Sequence, residues 1–395
     1  MVKKIAIGLG GVLLLFVGLS MFGCETGSKG SVDKNMSTKD LEDHDKTFYT
    51  KREHTIVDVL YGTDRGMKSS KNLENRYNSE LSNLKFGVAQ VSVPKTHEFG
   101  VVERPGFFQS EKIGRDVVIT KLDALELKKF RDILKLKLDN VDESDILVFI
   151  HGFNVTFAEA IRQTAQISYD LEFLGTPLTY SWPSEGSMSL TSYARDGESV
   201  KYTTTHLTTF LEEVIRTKGK AKIHLLAHSM GTRALSYALK EISHKYDSPQ
   251  FKNIILAAPD INTKVFEENF YPFVLKTTEK ITLYASSEDS ALSFSKGLHK
   301  GKRLGQGGTE ISVFKDMVTV DATGIDTSML GHSYFCEKEI LVNDLKAVVQ
   351  KSLPPQKRLH LLERLKNRLM YWKFDVPELN KTEDNSWLDE EVGDY

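Results

Sequence analysis

Two observations predict an α/β fold built on a mostly parallel sheet. From Asp145 onward, short apolar runs of strand length alternate with stretches whose apolar residues recur at helical spacing. Such alternation implies right-handed crossovers between parallel strands, with helices covering the sheet. The composition fits as well, since the 395 residues are 40% hydrophobic and 27% charged, which is typical of a globular protein with a sizeable core.

Each predicted element rests on its own local pattern. Strands are predicted where apolar runs or alternations are bounded by polar or turn residues, at residues 55–61, 86–93, 116–119, 146–150, 178–181, 223–227, 254–258, 281–285 and 313–320. Helices are predicted where the apolar spacing is helical, at residues 125–138, 157–173, 192–217, 231–244 and 263–276. We assign residues 51–352 to this one folded domain.

The first residues have the layout of an export signal. Lys3 and Lys4 precede an apolar run that ends at Gly23, and Cys24 begins a polar tract. This arrangement resembles the signal of bacterial lipoproteins, which implies a signal peptide at 1–23, lipidation of Cys24, and a flexible tether over 24–50. The run is also long enough to span a bilayer uncleaved. A cleaved, soluble export is a third alternative, and all three place the domain in the cell envelope, outside the cytoplasm.

Residues 353–395 form a separate tail in this prediction. Five apolar residues recur at helical spacing with basic residues between them: Leu359, Leu362, Leu365, Leu369 and Trp372. We predict an amphipathic helix that packs on the domain or lies on a membrane surface. An acidic segment follows from Glu383.

Charge and cysteine content exclude several classes of function. The net charge of −2 gives no basis for binding nucleic acid. With two cysteines, Cys24 and Cys336, there is no zinc-type cluster and no disulfide framework. We expect neither a metal nor an organic cofactor.

A candidate nucleophile is Ser229. An apolar strand pattern runs directly into the turn Ala227-His228-Ser229-Met230-Gly231, and a helical pattern follows. Small residues two positions before and after a serine permit the sharp strand-to-helix turn known as a nucleophile elbow, which exposes the hydroxyl. Ala227 replaces the more common glycine but is small enough for the turn.

A second loop predicts the oxyanion site. An apolar strand pattern ends in His151-Gly152-Phe153-Asn154, where Gly152 permits close approach of the backbone. The backbone N–H groups of Met230 and Phe153 are the predicted donors to a developing oxyanion. His151 itself is interpreted as bracing the turn.

The remaining catalytic residues are predicted from chain order. A serine nucleophile needs a base and an acid that orients the base. His332 follows the last predicted strand of the domain, which is the position expected for the base. Asp289 follows the strand pattern at 281–285 and is the preferred acid, Asp260 after the preceding strand is the alternative, and Glu288 is a lesser rival.

The chain resembles a bacterial α/β-hydrolase-fold family of unknown function, whose members include esterase- or lipase-like lipoproteins. The resemblance covers roughly residues 50–350, in the segments 61–65, 149–154, 157–170, 180–184, 227–231, 257–260, 284–292 and 331–334. It implies the α/β-hydrolase fold and a Ser-His-Asp mechanism without indicating a substrate. Within these segments, Asp64 and Arg65 are expected to form a buried pair, and Trp182 either lines the site or packs in the core.

The sequence therefore predicts a membrane-tethered serine hydrolase that cleaves an ester, thioester or amide of a small-molecule or lipid-like acyl substrate. A non-catalytic surface lipoprotein that uses the same fold for binding is the alternative, because a fold does not fix a function.

Overall fold

The computed structural model describes residues 53–106, 108–139, 145–187, 189–287, 301–325 and 335–375, with side chains in the last range from Glu339 onward. Its strands are β1 (His54–Met67), β2 (Tyr77–Pro94), β3 (Val118–Leu125), β4 (Ile146–Ile150), β5 (Thr176–Ser181), β6 (Ile223–His228), β7 (Phe251–Ala257), β8 (Thr278–Ala285), β9 (Val318–Asp321), β10 (Leu361–Lys366) and β11 (Leu369–Phe374). Together they form one 11-stranded sheet in the order β10-β11-β9-β8-β7-β6-β4-β5-β1-β2-β3.

The helices of the described chain are α1 (Leu127–Asp139), α2 (Phe157–Asp170), α3 (Leu190–Thr217), α4 (Gly231–Lys245), α5 (Thr263–Asn269), α6 (Tyr271–Thr277) and α7 (Phe335–Val349). None of them is both long enough and apolar enough to cross a bilayer. The predicted helix at 263–276 is two short helices, since Pro272 at the start of α6 cannot donate a backbone hydrogen bond to the preceding turn.

The centre of the sheet is parallel, as predicted. The strands β5, β4, β6, β7, β8 and β9 pair in parallel in that spatial order. At the other side of the sheet, β2 pairs antiparallel with both β1 and β3. All five residues of β4 are buried, because a parallel strand between helical layers is covered on both faces.

Helices cover both faces of the sheet. Tyr61 of β1 contacts Phe157 of α2 on one face, with ring centroids 5.0 Å apart. Next to it in the strand, Gly62 lies against the ring of Phe210 on α3. Consecutive strand residues point to opposite faces, so α2 and α3 lie on opposite sides. Helix α7 shares the α2 side, since Leu345 packs in one cluster with Leu171 at the end of α2.

The strand order contains a switch point beside β4. The chain passes from β4 to its neighbour β5 and then returns to β6 on the other side of β4. At such a point the loops after the two strands diverge and leave a crevice at the carboxyl edge of the sheet, where ligands of α/β proteins bind. The residues after β4 and β6 therefore border the crevice.

The predicted amphipathic helix in the tail is wrong. Residues Leu361–Lys366 and Leu369–Phe374 form an antiparallel hairpin, β10 and β11. Strand β11 then pairs in parallel with β9, in the register Trp372 to Val320. The sheet therefore extends beyond the predicted boundary at residue 352.

Turn geometry and burial explain the difference. Asn367 and Arg368 at the hairpin turn both have positive φ, 50° and 66°, which suits a two-residue hairpin turn and not a helix. Two leucines of the predicted apolar helix face, Leu359 and Leu365, are 74% and 71% exposed. In contrast, Trp372 and Phe374, which are two positions apart in β11, are buried. The period of burial in β11 is that of a strand.

A buried histidine after β2 predicts a pH-dependent stability. The Nδ1 atom of His97 lies 2.8 Å from Glu103 Oε2, and its Nε2 lies 2.8 Å from Asp170 Oδ1 at the end of α2. Burial acts to lower the pKa of His97, but the hydrogen bonds to Asp170 and Glu103 outweigh it and raise the pKa to about 9.

Because the folded pKa lies above the unfolded value, this stabilisation is fully present below about pH 6.5 and is lost as the pH rises through 9. We expect the free energy of unfolding to fall by roughly 2–3 kcal/mol over that interval. Urea unfolding at several pH values measures this fall. In the His97→Gln variant the dependence should flatten, and an equal slope in both proteins would contradict the assignment.

Candidate active site

Ser229 occupies a strained turn directly after β6. Its φ of 49° places a residue other than glycine in the left-handed region, at a cost of about 1–3 kcal/mol. The backbone N–H of Ser229 donates to the carbonyl of Ala257 at 2.9 Å, and its carbonyl accepts from the N–H groups of Thr232 and Asp260 at 3.1 Å each. These three hydrogen bonds keep Ser229 in its strained backbone conformation at the edge of the sheet.

Two glycines permit the elbow to pack against the loop that follows β4. A Cβ atom on Gly152 would lie 2.9 Å from Ser229 Cβ, and one on Gly231 would lie 2.3 Å from the carbonyl oxygen of His151. Both distances are shorter than carbon and oxygen atoms tolerate, so glycine is required at each position. The structure therefore brings the predicted oxyanion loop against the predicted nucleophile.

Backbone donors are available on both sides of this contact. Met230 immediately precedes α4, at whose first turn the N–H groups have no helical acceptor. Within the described residues, no protein acceptor is hydrogen-bonded to the backbone N–H of Met230 or of Phe153. The positive end of the α4 dipole lies at the same place. The arrangement can stabilise a negative charge that develops next to Ser229.

A buried layer supports the oxyanion loop from below. The His151 ring stacks on Trp182, with centroids 5.1 Å apart, and Trp182 Nε1 donates to the carbonyl of His151 at 2.7 Å. Burial, together with the nearby charge of Arg65, holds the pKa of His151 well below its usual value. A neutral, fully buried ring braces the loop, as interpreted from the sequence, and Trp182 packs beneath it.

Arg65 lies beneath the oxyanion loop and donates hydrogen bonds to the end of β5, to the loop after it and to the loop after β4. Its guanidinium donates to Ser181 Oγ at 2.9 Å, to the carbonyl of Ser184 at 2.8 Å and to that of Val155 at 2.7 Å. Burial lowers its pKa to about 10, so it stays charged at neutral pH.

The expected buried pair of Asp64 and Arg65 is wrong. Asp64 instead accepts from Thr203 Oγ1 on α3 at 2.7 Å, with His206 Nδ1 at 3.1 Å. Neighbouring strand residues point to opposite faces of a sheet, which separates the two side chains.

Asp260, the alternative acid, lies in a cationic cluster. Tyr193 Oη donates to its Oδ2 at 2.6 Å, and Arg233 Nη2 donates to the same oxygen at 2.8 Å. The Nε of Arg303 lies 3.3 Å from Oδ1. Burial lowers the pKa of Arg303, with Asp260 opposing and Arg233 adding to the shift.

Three other predicted residues, Cys24, Asp289 and His332, lie outside the described residues, as does Glu288. For Asp289 and His332, the structure shows the neighbouring strands and helices. Asp289 follows β8, whose carboxyl end lies two strands from that of β6, and His332 falls between β9 and α7. Their roles remain predictions.

The sequence prediction missed Tyr193, Arg233 and Arg303 as residues of this region. The sequence did contain a signal for Arg233. A cation in the first turn of α4 is unfavourable because it lies at the positive end of the helix dipole, and such a position indicates an anionic partner. Nothing local marked Tyr193 or Arg303, because tertiary contacts alone bring them to Asp260. In the described part of the chain, no cluster of three or more His, Cys, Asp or Glu residues is arranged to hold a metal ion.

The family described as "Alpha/beta hydrolase of unknown function (DUF900)" matches residues 127–350, a range that contains the elbow, the oxyanion loop and the cationic cluster. The chain belongs to this family. The resemblance inferred from the sequence and the predicted α/β-hydrolase fold are both confirmed. Comparison with curated proteins finds no significant match.

Several solved structures are also similar to this chain. A protein of Lactobacillus plantarum WCFS1, assigned as a cell surface hydrolase, has a TM-score of 0.33 at 10% identity, covering 55% of this chain and 96% of its own. A CIB-like hydrolase from Thermoplasma acidophilum has a TM-score of 0.32 at 10% identity, covering 75% and 99%. MenH from S. aureus has a TM-score of 0.29 at 14% identity, covering 54% and 97%.

Proposed function

We propose that this protein is a serine hydrolase that cleaves an ester, thioester or amide. The observation that carries the proposal is the strained Ser229 at the switch point of the sheet, packed through Gly152 against a loop with an available N–H donor. Strain of this kind persists only where the surroundings impose it, and it is concentrated at functional sites.

In the proposed mechanism, Ser229 Oγ attacks the carbonyl carbon of the substrate while His332 takes the hydroxyl proton. The carbonyl oxygen becomes an oxyanion that accepts hydrogen bonds from the N–H groups of Met230 and Phe153. His332 then returns the proton to the leaving group as the carbon–heteroatom bond breaks. Water, activated by His332, releases the acyl group from Ser229 in the second half of the cycle. Loss of one oxyanion donor typically costs about a hundredfold to a thousandfold in rate.

Asp289 is proposed as the acid that orients His332. The contacts of Asp260 support this choice, because its carboxylate already compensates Arg233 and lies next to Arg303. A carboxylate that is paired with guanidinium groups stabilises an imidazolium less than one without such partners. The mechanism requires no metal and no organic cofactor.

Fluorophosphonate labelling tests the proposal. A serine made nucleophilic by a base should form a stable adduct with the probe, and peptide mass spectrometry should place the adduct on Ser229. Heat-denatured protein provides the control for non-specific reaction. An unlabelled protein, or an adduct on another serine, would favour the alternative of a non-catalytic binding protein on the same fold.

We further propose that the protein is attached to a membrane through lipid on Cys24, at the junction of the apolar run and the polar tract. Two acyl chains give stable attachment where one is marginal. In a bacterial host, the mature chain should begin at a modified Cys24, and Cys24→Ala should leave a longer, unprocessed precursor.

Mass spectrometry of the mature N-terminus measures this directly. The Cys336→Ala variant is the matched control, since it should be processed like the wild type. An unmodified Cys24 in a chain that retains residues 1–23 would show an uncleaved membrane anchor instead.

A further inference from the structure

A cavity of about 350 Å³ lies beside the elbow. Its walls include Arg233, Tyr237, Ile261, Val265, Phe270 and Arg303. Arg233 is on the helix that begins at the elbow, and Ile261 follows Asp260, whose N–H donates to the Ser229 carbonyl. The cavity is thus built on segments directly bonded to Ser229.

Arg303, which lines this cavity, has unsatisfied hydrogen-bond donors. The residue is 4% exposed, yet within the described chain neither its Nε nor its Nη2 makes a hydrogen bond. Leaving hydrogen-bond donors of a buried charged group unsatisfied costs more than the roughly 1–3 kcal/mol of a neutral group, even where an ion pair such as that with Asp260 remains. Backbone bonds between residues 302–304 and 261–263 hold Arg303 in place, so the side chain cannot easily move to solvent.

Among the described residues, the ionised side chains paired at this cavity carry more positive than negative charge. Two guanidinium groups, of Arg233 and Arg303, lie within ion-pair distance of the one carboxylate of Asp260 in this part of the chain. Arginine donors suit the oxygens of a carboxylate or a phosphate, because the planar fork can bind two oxygens at once. One oxyanion would both balance the charge and accept from Arg303.

Much of the remaining lining of the cavity is apolar. Tyr237 and Phe270 meet edge to face, with ring centroids 4.7 Å apart, and Ile261 and Val265 complete the wall. A ligand for this cavity therefore has an apolar body as well as an anionic group. Ligand sites commonly combine such an apolar lining with a few placed polar groups.

We infer that this cavity binds a carboxylate or phosphate group carried on an apolar body, and that it selects substrates of the proposed serine hydrolase that bear such an anion. The second part rests on the proposed function. The first part concerns binding alone and holds for either function.

Calorimetric titration of the full-length Ser229→Ala variant in detergent tests the binding. The probes are 4-phenylbutyrate, its neutral analogue 4-phenylbutyramide, and phenyl phosphate. We expect at least one of the two anions to bind about tenfold or more tightly than the amide, since hydrogen bonds to charged groups are worth about 1.5–3 kcal/mol. Amide affinity equal to that of both anions would overturn the inference, and the two anions distinguish a carboxylate from a phosphate site.

Val265 offers a matched pair of variants that should fold. It is 42% exposed and is the third residue of α5, where a glutamate is well tolerated near the helix N-terminus. Val265→Glu should bind the anion about tenfold more weakly than Val265→Gln, because the two side chains are similar in size and differ by one negative charge. Equal affinities in the two variants would contradict the site.

Kinetics on wild-type protein test the substrate preference. The kcat/KM for 4-nitrophenyl hemiglutarate should exceed that for 4-nitrophenyl valerate, and this ratio should be lower in Val265→Glu than in Val265→Gln. Equal ratios in the two variants would overturn the preference. Failure of fluorophosphonate labelling would overturn the proposed function alone, because the titration requires no chemistry at Ser229.

Discussion

Replacement of Ser229 by alanine should lower kcat/KM for activated esters by at least about a thousandfold. The proposed reaction begins with a bond from Ser229 Oγ to the carbonyl carbon, so no other group in the site can substitute for it. The melting temperature should stay within a few degrees, since alanine at φ 49° is strained as serine is. Steady-state kinetics with 4-nitrophenyl esters and a thermal melt measure both quantities.

Ser236→Ala is the matched control. Ser236 lies on α4, the helix that follows Ser229, and is buried. Its hydroxyl donates to the carbonyl of Thr232 at 2.7 Å, so its loss should leave activity near the wild-type level. Ser229→Gly should be as inactive as Ser229→Ala but more stable, because glycine adopts the left-handed conformation without strain. Retention of ester hydrolysis by Ser229→Ala would refute the assignment of the nucleophile.

The two candidate acids should fail in different ways. Asp289→Asn should reduce kcat by about 10⁴, because an asparagine cannot stabilise the imidazolium and favours the wrong tautomer of His332. Its melting temperature should be close to that of the wild type. Kinetics at saturating ester concentration and thermal melts of Asp289→Asn and Asp260→Asn measure the difference.

Asp260→Asn should instead destabilise the fold. It removes the charge that compensates the partly buried Arg233 and the buried Arg303, and removing one partner of a buried ion pair commonly costs about 3–5 kcal/mol. At temperatures where it remains folded, the variant should keep most of its activity. A dead but stable Asp260→Asn, together with an active Asp289→Asn, would reverse the two roles.

The central sheet and the elbow could be predicted from the sequence because local patterns specify them. The continuous apolar run of β4 is typical of a strand buried on both faces. Small residues around Ser229 indicate the tight turn before the helix. The contact of Gly152 with Ser229 was predicted in outline, since adjacent parallel strands end at one edge of the sheet.

The hairpin could not be predicted from apolar spacing because the spacing favours the wrong structure. Leucines in the exposed strand β10 happen to recur at helical intervals, and only the turn at Asn367 and Arg368 and the pairing with β9 decide the conformation. The cationic cluster was missed for a related reason. Arg303 reaches Asp260 through tertiary pairing of two loops, for which no local pattern exists.

The place of β11 has a consequence for biosynthesis. It is the latest strand in the described chain, yet it lies inside the sheet, between β9 and the edge strand β10. Until β11 has joined the folding sheet, β9 therefore presents an open edge, of the kind that invites pairing with other chains. Trp372 and Phe374 cover the adjacent core only when synthesis has passed them. A truncated product would keep that edge open, and proteases and chaperones could recognise it as unfinished.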